Sequence, residues 1–241
     1  DLPYACLSIK MNGTSGMPFS LKEDLAALPG VEEVSAAIDL TDTYTITSDR
    51  IQNSQMLADI WVKDNGNIPS VLMHNASKGT LNTTVCALPD DELRRIAADA
   101  GVSDEEIETL LAGDSVLTLW RDCYYDPAAD AYYQKNTQTE GSIPVEPVFA
   151  AGDKLSIQHQ RYTGQDEAGN DVYRTYTAQL PIAGVVKSAN NYTLLTTDRL
   201  IFSGTIFVST ALYHKMFESA GSYHMEKEGY SSLNVKLRSE E

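Results

Sequence analysis

The 241-residue sequence predicts an α+β fold with mixed, mainly antiparallel sheets. Three observations lead to this prediction. Segments with strand-like alternation outnumber segments with helical periodicity, strands follow one another in the middle of the chain, and a strand–helix–strand unit stands at each end. Since 42% of the residues are hydrophobic, the chain can build an ordinary buried core.

The first helix is expected over "SLKEDLAAL", after a strand-like opening segment, "YACLSIKMN". Ser20 and Glu23 have the spacing of a capping box, in which the two residues satisfy each other's backbone amides. Three leucines at i, i+4 and i+7 are expected to share one helical face: Leu21, Leu25 and Leu28. Pro29 and Gly30 end the helix, because proline cannot continue the hydrogen-bond ladder and glycine tolerates positive φ.

Strands are expected to follow this helix. The alternation after Gly30 predicts a half-buried strand whose inward residues are Val31, Val34, Ala36 and Ile38. The segments "MLADIWVKDN" (56–65) and "TLNTTVCAL" (80–88) predict two further strands.

Two short helices are expected next, over residues 89–101 and 103–113. The first begins with Pro89, carries acidic residues in its first turn and ends at Gly101, which is the usual polarity of a helix. Ser103 and Glu106 form a second capping box at the start of the next helix. Because the two helices are adjacent, they are expected to form one helical hairpin.

The second half of the chain is expected to be rich in strands. "SVLTLW" (115–120) predicts a strand, and residues 121–145 are interpreted as a long, exposed, irregular connection. Residues 153–162 and 171–188 predict a hairpin around the turn-rich "TGQDEAGN". The closing unit is a buried strand at 204–210, a helix at 211–221 and a strand at 231–239.

Charge and composition restrict the partners. The chain has 34 acidic and 18 basic residues and a net charge of −16, which disfavours nucleic acid and anionic lipid as partners. No segment approaches the roughly 20 apolar residues that a membrane span needs. The chain begins without Met, and we expect it to be a piece of a longer protein.

The three cysteines are widely spaced and include no CxxC pair: Cys6, Cys86 and Cys123. This spacing favours buried free thiols, and one disulfide is the alternative.

Motifs for catalysis, cofactors and metals are absent from the sequence. It contains no nucleophile elbow, zinc-protease motif, dinucleotide fingerprint or phosphate-binding loop, so we expect no catalytic residue and no cofactor. The histidines are scattered without ligand spacing and are expected to be surface or capping residues: His74, His159, His214 and His224. Asp122, Asp126 and Asp130 lie four apart, which does not fit a calcium loop and predicts a solvated loop.

One aromatic cluster in a polar segment is a candidate binding surface. Its members are Trp120, Tyr124, Tyr125, Tyr132 and Tyr133. Aromatic side chains offer a large contact area at low entropic cost, so the cluster could bind a sugar or a peptide. The other interpretation is that these side chains fix a long loop on the sheet.

Several segments, in order, resemble the extracytoplasmic domain of MacB/FtsX-like ABC transporter permeases. They are "LKEDLAALPGVEEVSAAI", "TTVCALPDDELRRIAADAGVS", "GDKLSI", "LPIAGVVK" and "GTIFVSTALYHKMFE". The tyrosine-rich stretch 121–145 matches no motif of that family. The resemblance implies a porter-like, membrane-proximal subdomain made of residues 1–85 and 203–241, with a β-rich, sabre-like subdomain, 86–202, inserted into it.

The resemblance also implies a function. Such domains are not catalytic, and lie on the extracytoplasmic side of the bacterial cell membrane as part of an integral membrane protein. They transmit conformational change, driven by a separate cytoplasmic ABC ATPase, to an extracytoplasmic substrate or protein partner, and a second permease half completes the transporter. Both ends of the domain are then expected on the same side of the fold. The alternative is a secreted carbohydrate- or peptide-binding module that uses the tyrosine-rich segment.

Overall fold

The computed structural model describes residues 6–10, 16–63, 74–75, 79–120, 122–134, 138–187, 205–220, 229–230 and 232–238. The strands are β1 (Cys6–Lys10), β2 (Val31–Thr47), β3 (His74–Asn75), β4 (Thr80–Leu88), β5 (Val116–Trp120), β6 (Cys123–Asp126), β7 (Ala131–Gln134), β8 (Ile143–Val145), β9 (Lys154–Gln165), β10 (Asp171–Lys187), β11 (Ile206–Ser209) and β12 (Ser232–Leu237). The helices are α1 (Ser20–Ala26), α2 (Asp49–Gln52), α3 (Gln55–Lys63), α4 (Asp90–Asp99), α5 (Asp104–Leu111) and α6 (Thr210–Ala220). The predicted α+β class is confirmed.

Six strands form a closed ring. Their ladders run in the order β2, β9, β10, β5, β11 and β4, and β4 pairs with β2 again. The β10–β5 and β11–β4 ladders are parallel, and the other four are antiparallel. The predicted hairpin around residues 163–170 is the β9–β10 pair, so its prediction from turn residues is confirmed.

The first and last strands lie beside the ring. β12 lies between β1 and β2 and is antiparallel to both, with Cys6 opposite Lys236 in one ladder and Ser232 opposite Ala37 in the other. Beyond Ala37, β2 leaves β12 and pairs with β4, from Ile38 to Thr47. The opening and closing units therefore share one sheet.

Alternate residues of the ring strands enter two hydrophobic clusters. All six strands contribute to the first cluster, with side chains such as Tyr44, Ile157 and Ile182, so this cluster fills the inside of the ring. The second cluster contains Leu117 and Phe207 together with side chains of α4 and α5. These two helices therefore cover one part of the ring's outer surface.

The helices α4 and α5 have the end signals that the sequence predicts. α5 has a complete capping box, in which Ser103 Oγ accepts from the Glu106 amide and Glu106 accepts from the Ser103 amide. α4 follows Pro89, and Gly101 has a positive φ of 79° after its last turn. Arg94 of α4 is 2.8 Å from Glu108 of α5. The predictions for these two helices are confirmed.

α1 differs from its prediction in two respects. Phe19 is the N-cap residue and no side chain caps the helix, so the capping box predicted at Ser20 and Glu23 is wrong. Leu21 and Leu25 pack on the first cluster, but Leu28 lies beyond the helix and is 52% exposed. Gly30 has the predicted positive φ, 84°, but it lies in the turn before β2, because α1 already ends at Ala26.

Two segments have a structure other than the one predicted. Residues 55–63 form α3 instead of a strand, because Met56 and Leu57 are buried together and the Ser54 hydroxyl accepts from the Leu57 amide at the helix start.

Within 121–145, β6, β7 and β8 form a separate three-stranded sheet, so the prediction of an irregular connection is wrong. Cross-strand tyrosine pairs and the turn at Asp126 stabilise this sheet.

The predicted subdomain boundaries cut through the ring. β2, β4 up to Val85 and β11 belong to the porter-like part, 1–85 plus 203–241, whereas β5, β9 and β10 belong to the sabre-like part, 86–202. Ladders such as β2–β9 and β11–β5 join the two parts. The division into two subdomains stays a prediction.

Candidate functional site

The predicted aromatic cluster lies mainly on the small sheet. β6 and β7 place Tyr124 opposite Tyr133 and Tyr125 opposite Tyr132. Because side chains alternate along a strand, the two pairs lie on opposite faces of this hairpin. The five aromatic residues therefore form no single platform.

One face of the hairpin contacts the rest of the fold. The Tyr125 and Tyr132 rings are 5.0 Å apart, and the Tyr132 hydroxyl donates to Asp59 Oδ2 of α3 at 2.8 Å. Burial, and after it this hydrogen bond, raises the pKa of Tyr132. Trp120 is 4% exposed in the first cluster, so its ring offers no contact surface. The binding role of Tyr124, Tyr125, Tyr132 and Tyr133 stays a prediction.

Asp126 has a structural role in the hairpin turn. Its carboxylate accepts hydrogen bonds from the Thr139 hydroxyl and from the amides of Ala128 and Ala129. The bond from Thr139, and after it the two amides, holds the pKa of Asp126 below its usual value. The side chain is buried, whereas the sequence predicts a solvated loop, and this prediction is wrong for Asp126. Asp122 is half-buried and Asp130 is exposed.

The histidines are in different environments. His159 is 2% exposed and stacks on Tyr44 with ring centroids 4.5 Å apart, so the prediction of a surface position is wrong for this residue. It lies inside the ring because it shares the inward-facing register of β9 with Ile157. His214 is exposed, as predicted. His224 and the side chain of His74 lie outside the described part of the structure.

The cysteines described here are buried thiols. Cys86 and Cys123 form no disulfide, and burial raises the pKa of the Cys123 thiol to about 11. The side chain of Cys6 lies outside the described residues. Among the residues that the structure describes, no group of three His, Cys, Asp or Glu side chains is arranged to hold a metal ion, and no helix is long and apolar enough to cross a membrane.

A second tyrosine pair was missed by the sequence analysis. Tyr162 of β9 and Tyr173 of β10 are directly opposite each other, with ring centroids 5.8 Å apart, and are 51% and 54% exposed. Sequence reasoning selected aromatics that are close in the sequence, and these two are separated by the loop 163–170. The signal was available, because both tyrosines flank the loop of a predicted hairpin.

The similarity of this chain to known proteins is found at the level of structure. No family model matches it, and no curated protein matches it. Among solved structures, it is similar to the crystal structure of the periplasmic region of MacB from Actinobacillus actinomycetemcomitans, with a TM-score of 0.39 and 7% sequence identity. The similarity covers 98% of this chain and 75% of that chain.

Proposed function

We propose that this chain is a non-catalytic, extracytoplasmic domain of a MacB/FtsX-like ABC transporter permease. In this proposal a separate cytoplasmic ATPase hydrolyses ATP, a second permease half completes the transporter, and the domain transmits the resulting movement to a bound substrate or protein partner. The support from the sequence is the ordered set of motifs. The support from the structure is the position of the first and last strands.

The outer ends of these two strands are adjacent. Cys6 at the start of β1 is opposite Lys236 near the end of β12, and the Arg238 amide donates to the Gly30 carbonyl oxygen at 2.9 Å. A domain inserted between two membrane helices needs such neighbouring ends. This pairing is the observation that carries the proposal.

One strand connects this end of the fold with the ring. β2 has 17 residues, a length of roughly 50 Å for extended backbone. Its first part pairs with β12, and its second part pairs with β4 and β9. Because interiors are close-packed and transmit strain, a displacement at the strand ends reaches the ring through β2.

Cysteine labelling in cells tests the location of the domain. In the full parent protein with Cys6→Ser, we introduce Glu167→Cys in the exposed β9–β10 loop and add a membrane-impermeant maleimide to intact cells. Cys86 and Cys123 are buried, so the Cys6→Ser parent without Glu167→Cys gives the background. Labelling of intact cells, with the protein in the membrane fraction, is the expected result. Labelling only after lysis would overturn the proposal.

Titration calorimetry tests whether the chain binds ATP. Saturable binding of ATP to the 241-residue chain would contradict the assignment of ATP hydrolysis to another subunit or domain. Recovery of the parent protein in the medium, without membrane association, would favour the alternative of a secreted binding module.

A further inference from the structure

We infer that the outer face of β4, β2, β9 and β10 binds a neutral polyhydroxylated ligand, a glycan without charged groups. The inference does not rest on the proposed function, since it uses only the register, exposure and chemistry of one sheet face. It assigns a binding surface separate from the tyrosine-rich hairpin of β6 and β7.

Strand register places twelve residues on this face. In the β9–β10 ladder the paired positions are Tyr162 with Tyr173, Gln160 with Thr175, Gln158 with Thr177, and Ser156 with Gln179. The ladders to β2 and β4 continue the same face with Thr45, Thr47, Asn82 and Thr80. The hydrogen bond from Thr45 Oγ1 to Asn82 Oδ1, 3.2 Å long, confirms that these side chains point to the same side. We call these twelve residues the uncharged face.

The uncharged face is open to solvent. Its residues are exposed or half-buried, whereas their neighbours in sequence on β9, Ile157 and His159, are buried inside the ring. α4 and α5 cover the outer side of β5 and β11 and the adjoining ends of β10 and β4, where Ala183, Val186, Cys86 and Leu88 join the second cluster. No described helix has its buried side chains on the uncharged face.

The composition of this face is unusual for this chain. Charged residues make up 22% of this chain, so twelve positions of average composition would carry about three charges. These twelve carry none, in a chain of net charge −16. The first charged residue in the same register on β9 is Lys154, at the end of the strand.

The functional groups of the face match those of a glycan. Glutamine, asparagine, threonine and serine side chains each offer both a donor and an acceptor, as sugar hydroxyl groups do. The Tyr162 and Tyr173 rings add an exposed aromatic surface at one end, and tyrosine combines an apolar ring with a polar hydroxyl. Without a fixed charge, the face offers no ion pair to a phosphate, a sulfate or a cation. The ligand that fits is therefore neutral, extended and rich in hydroxyl groups.

Glycan binding by the 241-residue chain tests the inference. The chain is screened on an array of neutral and acidic glycans, and then titrated in the calorimeter with cellohexaose and with chitohexaose as neutral probes. We expect neutral glycans to bind in preference to acidic ones. The double variant Tyr162→Ala, Tyr173→Ala is expected to bind roughly tenfold more weakly, as for the loss of an aromatic contact with the ligand.

Two variants separate this face from other surfaces. Arg174→Ala removes an exposed side chain from the strand position next to Tyr173 but on the opposite face, and is expected to bind like the parent chain. Gln160→Glu keeps the side-chain size, adds one charge to the face and is expected to weaken binding. Circular dichroism confirms that each variant folds.

Three results would overturn the inference. They are no neutral glycan bound on the array or in millimolar titrations, preferential binding of acidic glycans, and neutral-glycan binding that is lost in Tyr124→Ala, Tyr125→Ala but kept in Tyr162→Ala, Tyr173→Ala. The labelling experiment on the parent protein is independent of all three, so either proposal can fail alone.

Discussion

The hydroxyl of Tyr132 donates a hydrogen bond to Asp59 Oδ2 at 2.8 Å, across 73 residues of sequence. This contact joins β7 of the small sheet to α3. Tyr132 also packs on the first hydrophobic cluster, which contains Cys123 of β6, so its ring and its hydroxyl help to fix the hairpin of β6 and β7 to the fold. The interpretation of the aromatic residues as a means of fixing a long segment therefore applies to Tyr132.

Removing that hydroxyl is expected to destabilise the fold. Tyr132→Phe keeps the ring and loses the bond to the Asp59 carboxylate, which costs about 1–3 kcal/mol in the free energy of unfolding. The pKa of Tyr132 is raised in the folded state, so the protonated hydroxyl stabilises the fold. This contribution is complete below the pKa of an unfolded tyrosine, about 10, and is lost as the pH rises further. Urea unfolding between pH 7 and 11 measures both effects.

Tyr125→Phe is the matched control for this prediction. The Tyr125 hydroxyl donates to Asp130 Oδ1 within the same exposed hairpin, so its loss is expected to change stability less than the loss of the Tyr132 hydroxyl. Equal losses for the two variants would contradict the role given to the Asp59 contact.

Two serines with the same sequence motif are expected to respond differently to substitution. Ser103→Ala removes a complete capping box and lowers the thermal stability, whereas Ser20→Ala removes no cap and leaves it unchanged within error. The Ser103 side chain lowers the pKa of Glu106, so this stabilisation is present above the unfolded pKa of glutamate and is lost as the pH falls. Thermal melts from pH 7 to pH 3 check the difference, and an equal effect of the two substitutions would be evidence against it.

A buried carboxylate predicts a second pH effect. Glu92 is 4% exposed, and burial raises its pKa more than Arg95, 2.6 Å away, lowers it. A raised folded-state pKa means that the charged form costs stability, and that this cost disappears as the pH falls through the pKa. Glu92→Gln removes this cost, and Arg95 still has an ion-pair partner in the variant, because the Glu33 carboxylate lies 3.2 Å away. We expect the stability of the variant relative to the parent chain to increase from pH 4 to pH 8 in chemical unfolding. A difference that does not depend on pH would exclude this account.

The backbone contact between residues 16–17 and 229–230 predicts a steric effect. Met17 and Tyr230 exchange two amide hydrogen bonds of 2.8 Å, and a Cβ atom at Gly229 would collide with the Met17 carbonyl oxygen. Gly229→Ala is expected to cost about 1–3 kcal/mol, as for overpacking, and to increase hydrogen exchange at the Met17 amide. Gly152→Ala is the control, since its Cβ meets no atom within 4 Å and only the φ of 85° is strained. Unchanged exchange at Met17 in Gly229→Ala would refute the prediction.

The sequence by itself determined the elements whose signals are local. The β9–β10 hairpin, β4, β5, α4 and α5 were predicted because turn residues, caps and alternation act within a few residues of one another. Gly101 marked the end of α4 and Gly30 the turn before β2, because glycine adopts a positive φ without steric cost. The class of the fold followed from the order of these elements.

Only the tertiary structure decided which strands meet and which faces are covered. The closed ring requires β11 to pair with both β4 and β5, and no local signal specifies such pairings. The same dependence explains two errors. Ser20 has the sequence motif of Ser103, but the N-cap residue of its helix is Phe19. His159 is buried because its position on β9 faces the inside of the ring. Tyr162 and Tyr173 form an exposed pair because two strands align them and α4 and α5 cover another part of the ring. These outcomes depend on contacts between residues far apart in the chain, whose free energies no single segment contains.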